Sequence, residues 1–206
     1  MGKNFDNPTA HNRRVDLSKE TFVDIDVPMR ELGAIDITEL KDCILSQDRA
    51  AWDENLNRQQ SYEVHRDTES IVMLFCDESW PDGEIYRETG WKRISNVALP
   101  LIEHIIELHY EPGGVLLRAV AANLKAGGRI RPHRDSLKSF HMGHRIHIPI
   151  TTNPGVRFSI DGRPFAMQPG KIYELNNQLK HSVMNMGGED RITFIFDYVP
   201  PALVPN

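Results

Sequence analysis

The spacing of apolar residues divides the chain near residue 115. Upstream the pattern is mixed. TFVDIDV (21–27) alternates apolar and acidic positions, as a half-buried strand does. DITELKDCILSQDRAAW follows, with Leu40, Cys43, Ile44 and Gln47 at helical spacing, so a helix is expected over about 37–47 with Asp36 or Thr38 as N-cap. SYEVHRDTESIVMLF (61–75) reads as extended at both ends, and 77–96 as a long loop broken by Pro81, Gly83 and Gly90. LPLIEHIIELHYEPGG gives the clearest helix: Pro100 suits its first turn, Leu101, Ile102, Ile105 and Ile106 form the apolar face, and Gly113-Gly114 end it.

Beyond residue 115 the period becomes two. VLLRAVAANL, RIRPH, RIHIPI, VRFSI, PFAM, KIYEL, HSVMN and RITFIFDYV make eight candidate strands between turn signals. Asp161-Gly162 between VRFSI and RPFAM is a two-residue hairpin signal, and Pro169-Gly170 and Gly187-Gly188 mark further turns. Many short, evenly spaced strands favour a sandwich or barrel, and eight suit a jelly roll or cupin. The fold class expected is therefore mainly β with flanking helices (α+β). At 206 residues one domain is expected over 1–206: a polar, mobile start at 1–14, a mixed part at 15–114 and the β core at 115–199.

Composition narrows the partners. Hydrophobic residues make up 40% and charged residues 26%, as in soluble globular proteins. A formal charge of −5 lacks the Lys/Arg surplus that phosphate neutralisation needs, so nucleic acid is not an expected partner. No apolar run is long enough to span a membrane, and the first residues lack the apolar segment of a secretory signal. Two cysteines without a CxxC spacing fit a reducing compartment. A cytoplasmic protein with a small or protein partner is the expectation.

Candidate chemistry begins at IRPHRD (130–135). In a strand, residues i and i+2 face the same way, so His133 and Asp135 can aim an imidazole and a carboxylate at one point. His181, in LKHSVMN, would complete a set of two histidines and one carboxylate, the arrangement of non-haem Fe(II) oxygenases with three open positions. An HxD alone is weak evidence, and the chain carries its own control: His65-Arg66-Asp67 is the same tripeptide 68 residues earlier. The basic residues downstream of the second copy set it apart. Arg145 and His147 share one face of HRIHIPI while Ile146, Ile148 and Ile150 take the other; Arg191 and Thr193 are likewise set against Ile192, Phe194 and Phe196. A buried guanidinium requires a protein carboxylate or a bound anion.

These residues carry a resemblance. GGRIRPHRD, HRIHIPITTN, MQPGKIYELNNQLKHSVMN and DRITFIFDYV, with an Arg ten residues after the last His, make residues 115–199 similar to the catalytic domain of the aspartyl/asparaginyl β-hydroxylases. That resemblance implies a double-stranded β-helix and a dioxygenase that uses Fe(II), 2-oxoglutarate and O₂, releasing succinate and CO₂. It implies iron ligation by His133 and His181, a grip on the far carboxylate of 2-oxoglutarate by Arg191, and cosubstrate contacts from Arg145 and His147. The animal protein hydroxylase of this family lacks a carboxylate ligand, whereas this chain has Asp135; in that it is more similar to the bacterial free-proline hydroxylases, which carry a PHRD segment and an R-x-H strand. An intact Asp135 also favours hydroxylation over halogenation. A small amino-acid-like substrate is expected, with His65, Arg66 and Arg131 as first candidates to meet it, followed by Tyr62, Trp80, Trp91, Arg129, His141 and Asn177, and 77–96 as a lid. Two other readings remain open: a protein aspartyl/asparaginyl hydroxylase, and a non-redox metal-binding cupin acting as an isomerase or ligand-binding module. The cupin gives no reason for Arg191.

Overall fold

A computed structural model of the chain describes residues 23, 25–55 and 66–205. Its strands are β1 (Met29–Ala34), β2 (Thr68–Cys76), β3 (Ile85–Arg87), β4 (Val115–Leu124), β5 (Arg129–His133), β6 (His144–Pro149), β7 (Val156–Ile160), β8 (Arg163–Phe165), β9 (Lys171–Leu175), β10 (His181–Asn185) and β11 (Arg191–Val199). Its helices are α1 (Thr38–Leu45), α2 (Arg49–Asp53), α3 (Trp91–His109) and α4 (Lys138–Met142), with a 3₁₀ turn at Pro201–Leu203.

The strands form two antiparallel sheets, β1-β9-β6-β11-β4-β2-β3 and β5-β10-β7-β8. The alternation along β6 and β11 explains how they stack. Ile146, Ile148, Ile192, Phe194 and Phe196 point to the outer face of the larger sheet, where they pack with Leu40 and Ile44 of α1, Trp52 of α2 and Ile94, Ile102 and Ile105 of α3. The opposite face turns inward, and Leu124, Phe158, Ile160, Tyr173, Leu175 and Val183 pack between the sheets. The result is a jelly roll, mainly β, with α1, α2 and α3 on one outer face. All eight strands expected beyond residue 115 form. Asp161 and Gly162 both take positive φ, 50° and 74°, as the β7–β8 hairpin requires.

The upstream half departs from the pattern in four places. The larger sheet also takes in β1, β2 and β3 from before residue 115. Of the expected strand at 21–27, residues 21, 22 and 24 lie outside the described residues, as do 1–14; Asp26 and Val27 lie in a bend, and the ladder starts at Met29 against β9. The expected loop at 77–96 contains β3, too short to show a period, and the first turns of α3. That helix starts nine residues before Pro100 because its apolar stripe runs back through Val97 and Ile94, and because Gly90 fits against β2: its N–H donates to Val72 O at 2.9 Å, and a Cβ there would lie 2.5 Å from that oxygen. Pro100 removes the helical bond to Asn96, but both residues are exposed, so water can satisfy the orphaned carbonyl.

Candidate active site

His133 closes β5 and His181 opens β10, and the two are direct cross-strand partners with ring centroids 4.3 Å apart. Simple alternation would not have placed them so. Ile130 partners Val183, which shares a face with His181, yet Ile130 and His133 are three residues apart. A register shift over Arg131-Pro132 absorbs the odd residue and turns His133 inward; Pro132, which has no N–H to give a ladder, sits in that shift. Asp135 lies beyond the end of β5, and its convergence comes from a loop rather than from strand alternation: its N–H donates to Asn177 O at 3.2 Å.

The ligand atoms of His133, Asp135 and His181 all lie within 4.8 Å of one another. Each histidine meets a backbone carbonyl through Nδ1: Arg131 O at 2.8 Å for His133 and Leu179 O at 3.0 Å for His181. A carbonyl only accepts, so Nδ1 carries the proton in both rings and Nε2 keeps its lone pair for a metal. Burial lowers the pKa of His181, which favours the neutral, ligating form. Two neutral nitrogens and one carboxylate oxygen fit a divalent transition metal such as Fe(II).

Two guanidiniums share the interior face and differ in company. Arg145 donates from Nε and Nη2 to the two oxygens of Asp197, each at 2.8 Å, and from Nη1 to Asp135 Oδ2 at 2.8 Å. Burial alone would lower its pKa; the two carboxylates outweigh that and raise it. Arg191 is the more deeply buried, yet among the described residues no acceptor meets its guanidinium, and burial alone pushes its pKa down to about 10. It lines a cavity of about 370 Å³ with Pro149, Asn153, Phe158 and Met167. A cation held this way without a partner is a receptor for an anion.

The remaining sequence candidates scatter. His147 is buried on β6 two residues after Arg145, its ring steeply inclined to that of Phe158 with centroids 6.3 Å apart. The Arg131 side chain is exposed, and its carbonyl tethers His133. Arg66 is exposed in the turn before β2, and Asp67, the carboxylate of the first HxD, accepts the N–H of Arg129 at 3.1 Å. His65 and Tyr62 lie outside the described residues. Trp80 is packed in a satellite core and Trp91 lies under Arg87. His141 and Asn177 both brace the backbone of Asp135, through Nε2 to its carbonyl at 3.0 Å and through the carbonyl of Asn177 to its N–H. Asp197 and Arg118 were missed, although Arg118 is the lone charge of β4 and Asp197 the lone acid of β11.

Comparison with known proteins agrees with this geometry. Residues 42–201 match the Aspartyl/Asparaginyl beta-hydroxylase family, so the chain belongs to that family and is an enzyme of the hydroxylase type. A search of curated proteins finds no match. Among solved structures the chain is similar to an oxidoreductase of the 2OG-Fe(II) oxygenase family from Burkholderia pseudomallei (14% identity, 84% of this chain and 85% of that one, TM-score 0.55). It is also similar to a viral collagen prolyl hydroxylase from Paramecium bursaria Chlorella virus-1, solved with 2OG (10% identity, 84% and 97%, TM-score 0.52). At these identities the likeness shows the fold.

Proposed function

We propose that the protein is an Fe(II)- and 2-oxoglutarate-dependent dioxygenase that hydroxylates an unactivated C–H of an amino-acid-like small molecule. The observation that carries this reading is the convergence of His133, Asp135 and His181 in a family of hydroxylases. These three side chains would hold the iron, and His147, buried on β6, would contact the cosubstrate. Arg191 would take the far carboxylate of 2-oxoglutarate through charge-assisted hydrogen bonds, which fits a planar guanidinium better than a lysine. Metal and cosubstrate, when bound, supply the oxidising chemistry that converts 2-oxoglutarate and O₂ to succinate and CO₂ while a hydroxyl replaces hydrogen on the substrate. The chain would orient both, between sheets whose apolar packing is supplied by Leu124, Phe158, Ile160, Tyr173, Leu175 and Val183.

A small substrate is supported by where the helices lie. α1, α2 and α3 all pack on the outer face of the larger sheet, away from the triad, so none of them lays a peptide groove beside it. No helix of the described residues is long and apolar enough to cross a membrane, and Cys43 and Cys76 are free thiols, in keeping with a cytoplasmic location.

The test is anaerobic addition of Fe(II) and then 2-oxoglutarate. A weak visible charge-transfer band should develop, and admitting air should release succinate slowly, faster with the right free amino acid than with aspartyl or asparaginyl peptides. His133→Ala and Asp135→Ala should lose both signals while keeping the fold. A chain that gives neither band nor succinate is not this enzyme.

A further inference from the structure

Asp135 presents its two oxygens to different neighbours. Oδ1 lies 3.8 Å from His133 Nε2, on the metal side, while Oδ2 is held by Arg145 Nη1 at 2.8 Å. Arg145 is in turn gripped by Asp197, which Arg118 holds from the other side, Nη1 to Oδ2 at 3.3 Å. Asp197 and Arg118 are almost fully buried, at 1% and 2% exposure. Arg118 also donates to Ser139 Oγ at 2.7 Å, and both guanidiniums lie over the ring of Phe140, at 4.0 and 4.5 Å. Ser139 and Phe140 belong to α4, which follows Asp135 directly. Arg118 and Asp197 are direct cross-strand partners, the last pair of the regular β4–β11 register before it shifts at Leu117. Two positive and two negative groups close a neutral cluster, and Arg145 has no charge to spare for a further anion.

We infer that Arg145, clamped by Asp197 and Arg118, is a positioning residue that confines Asp135 to ligation through one oxygen. The inference rests on the metal-site reading above. Its consequence is arithmetical: an octahedral metal with two histidines and a one-oxygen carboxylate has three positions left, two for a chelating 2-oxo acid and one for O₂, whereas a two-oxygen carboxylate would take the last. Arg145 thus acts on O₂ access through Asp135, and Arg191 alone is left as the carboxylate anchor.

The experiment uses the full chain and Co(II), whose visible band responds to the number and arrangement of its ligands. The wild type should bind one Co(II), and His133→Ala should not; if the two behave alike, the site reading fails and the inference falls with it. In Asp197→Asn, and in Arg145→Lys, which retains the charge but not the fork, Co(II) affinity should drop about tenfold or more and the band should change. With Fe(II), kcat for succinate release should fall while the KM for 2-oxoglutarate holds. Wild-type binding with an unchanged band in the variants, whatever their affinity, overturns the inference and leaves the metal site standing. Arg145→Lys decides the matter if Asp197→Asn does not fold.

Discussion

Arg145, partly buried, and Arg191, buried, lie on inward faces of neighbouring strands, and they teach opposite lessons. Arg145 meets two carboxylates and belongs to the architecture. Arg191 meets none among the described residues, beside an open cavity. The first cation is part of how the molecule folds and shapes its metal ligand. The second is an expense that only a ligand repays. Sequence pattern treats them alike, as a lone Arg on the polar face of an apolar strand.

The contrast can be broken by substitution. The largest effect should come from Arg145→Met, which strands Asp135, leaves Asp197 with Arg118 alone and should cost about 3–5 kcal/mol in a denaturant melt. Next, 2-oxoglutarate at a hundredfold excess over its dissociation constant should stabilise the metal-loaded wild type by about 2.7 kcal/mol. Arg191→Met should lose most of that protection, seen as a missing rise in Tm. A third effect concerns pH. Burial would raise the carboxyl of Asp197, but Arg145 and Arg118 more than reverse this and hold it below the usual carboxylate range. Its contribution is therefore fully present above the ordinary carboxylate pKa and lost as pH falls through the lowered folded value. The Tm gap between wild type and Asp197→Asn should accordingly be constant near neutrality and close only in strong acid. The smallest effect should be Arg191→Met without ligand: stability unchanged or raised by about 1 kcal/mol, since the change removes a desolvated charge rather than a contact. A loss as large as that of Arg145→Met would erase the distinction between the two residues.

Much of this was legible in the chain. The period-two segments after residue 115 and the Asp161-Gly162 turn specified the β core because burial on both faces leaves little choice of register. His133, Asp135 and His181 could be picked out, and so could the odd placement of Arg145 and Arg191. What pattern could not supply was partnership. Asp197 sits 52 residues from Arg145, and Arg118 sits 79 from Asp197, so only the ladder order β6-β11-β4 joins them. The start of α3 was hidden because Pro100 looks like a beginning, and a helix interior tolerates it only on an exposed side. β3 was too brief for any periodicity. The inward turn of His133 depends on a register shift that strict alternation would have denied.

β5 is the outermost strand of its sheet and is hydrogen-bonded to β10 alone. One of the three ligands therefore hangs from a margin that can peel, while another sits on the strand it would peel from. An ion bound between them would act as a clasp, and amide protons of Arg129–His133 should exchange with deuterium more slowly once the ion is in place. Loading and edge fraying are then two sides of one equilibrium, and loss of the ion would expose a free β edge to any chain able to pair with it.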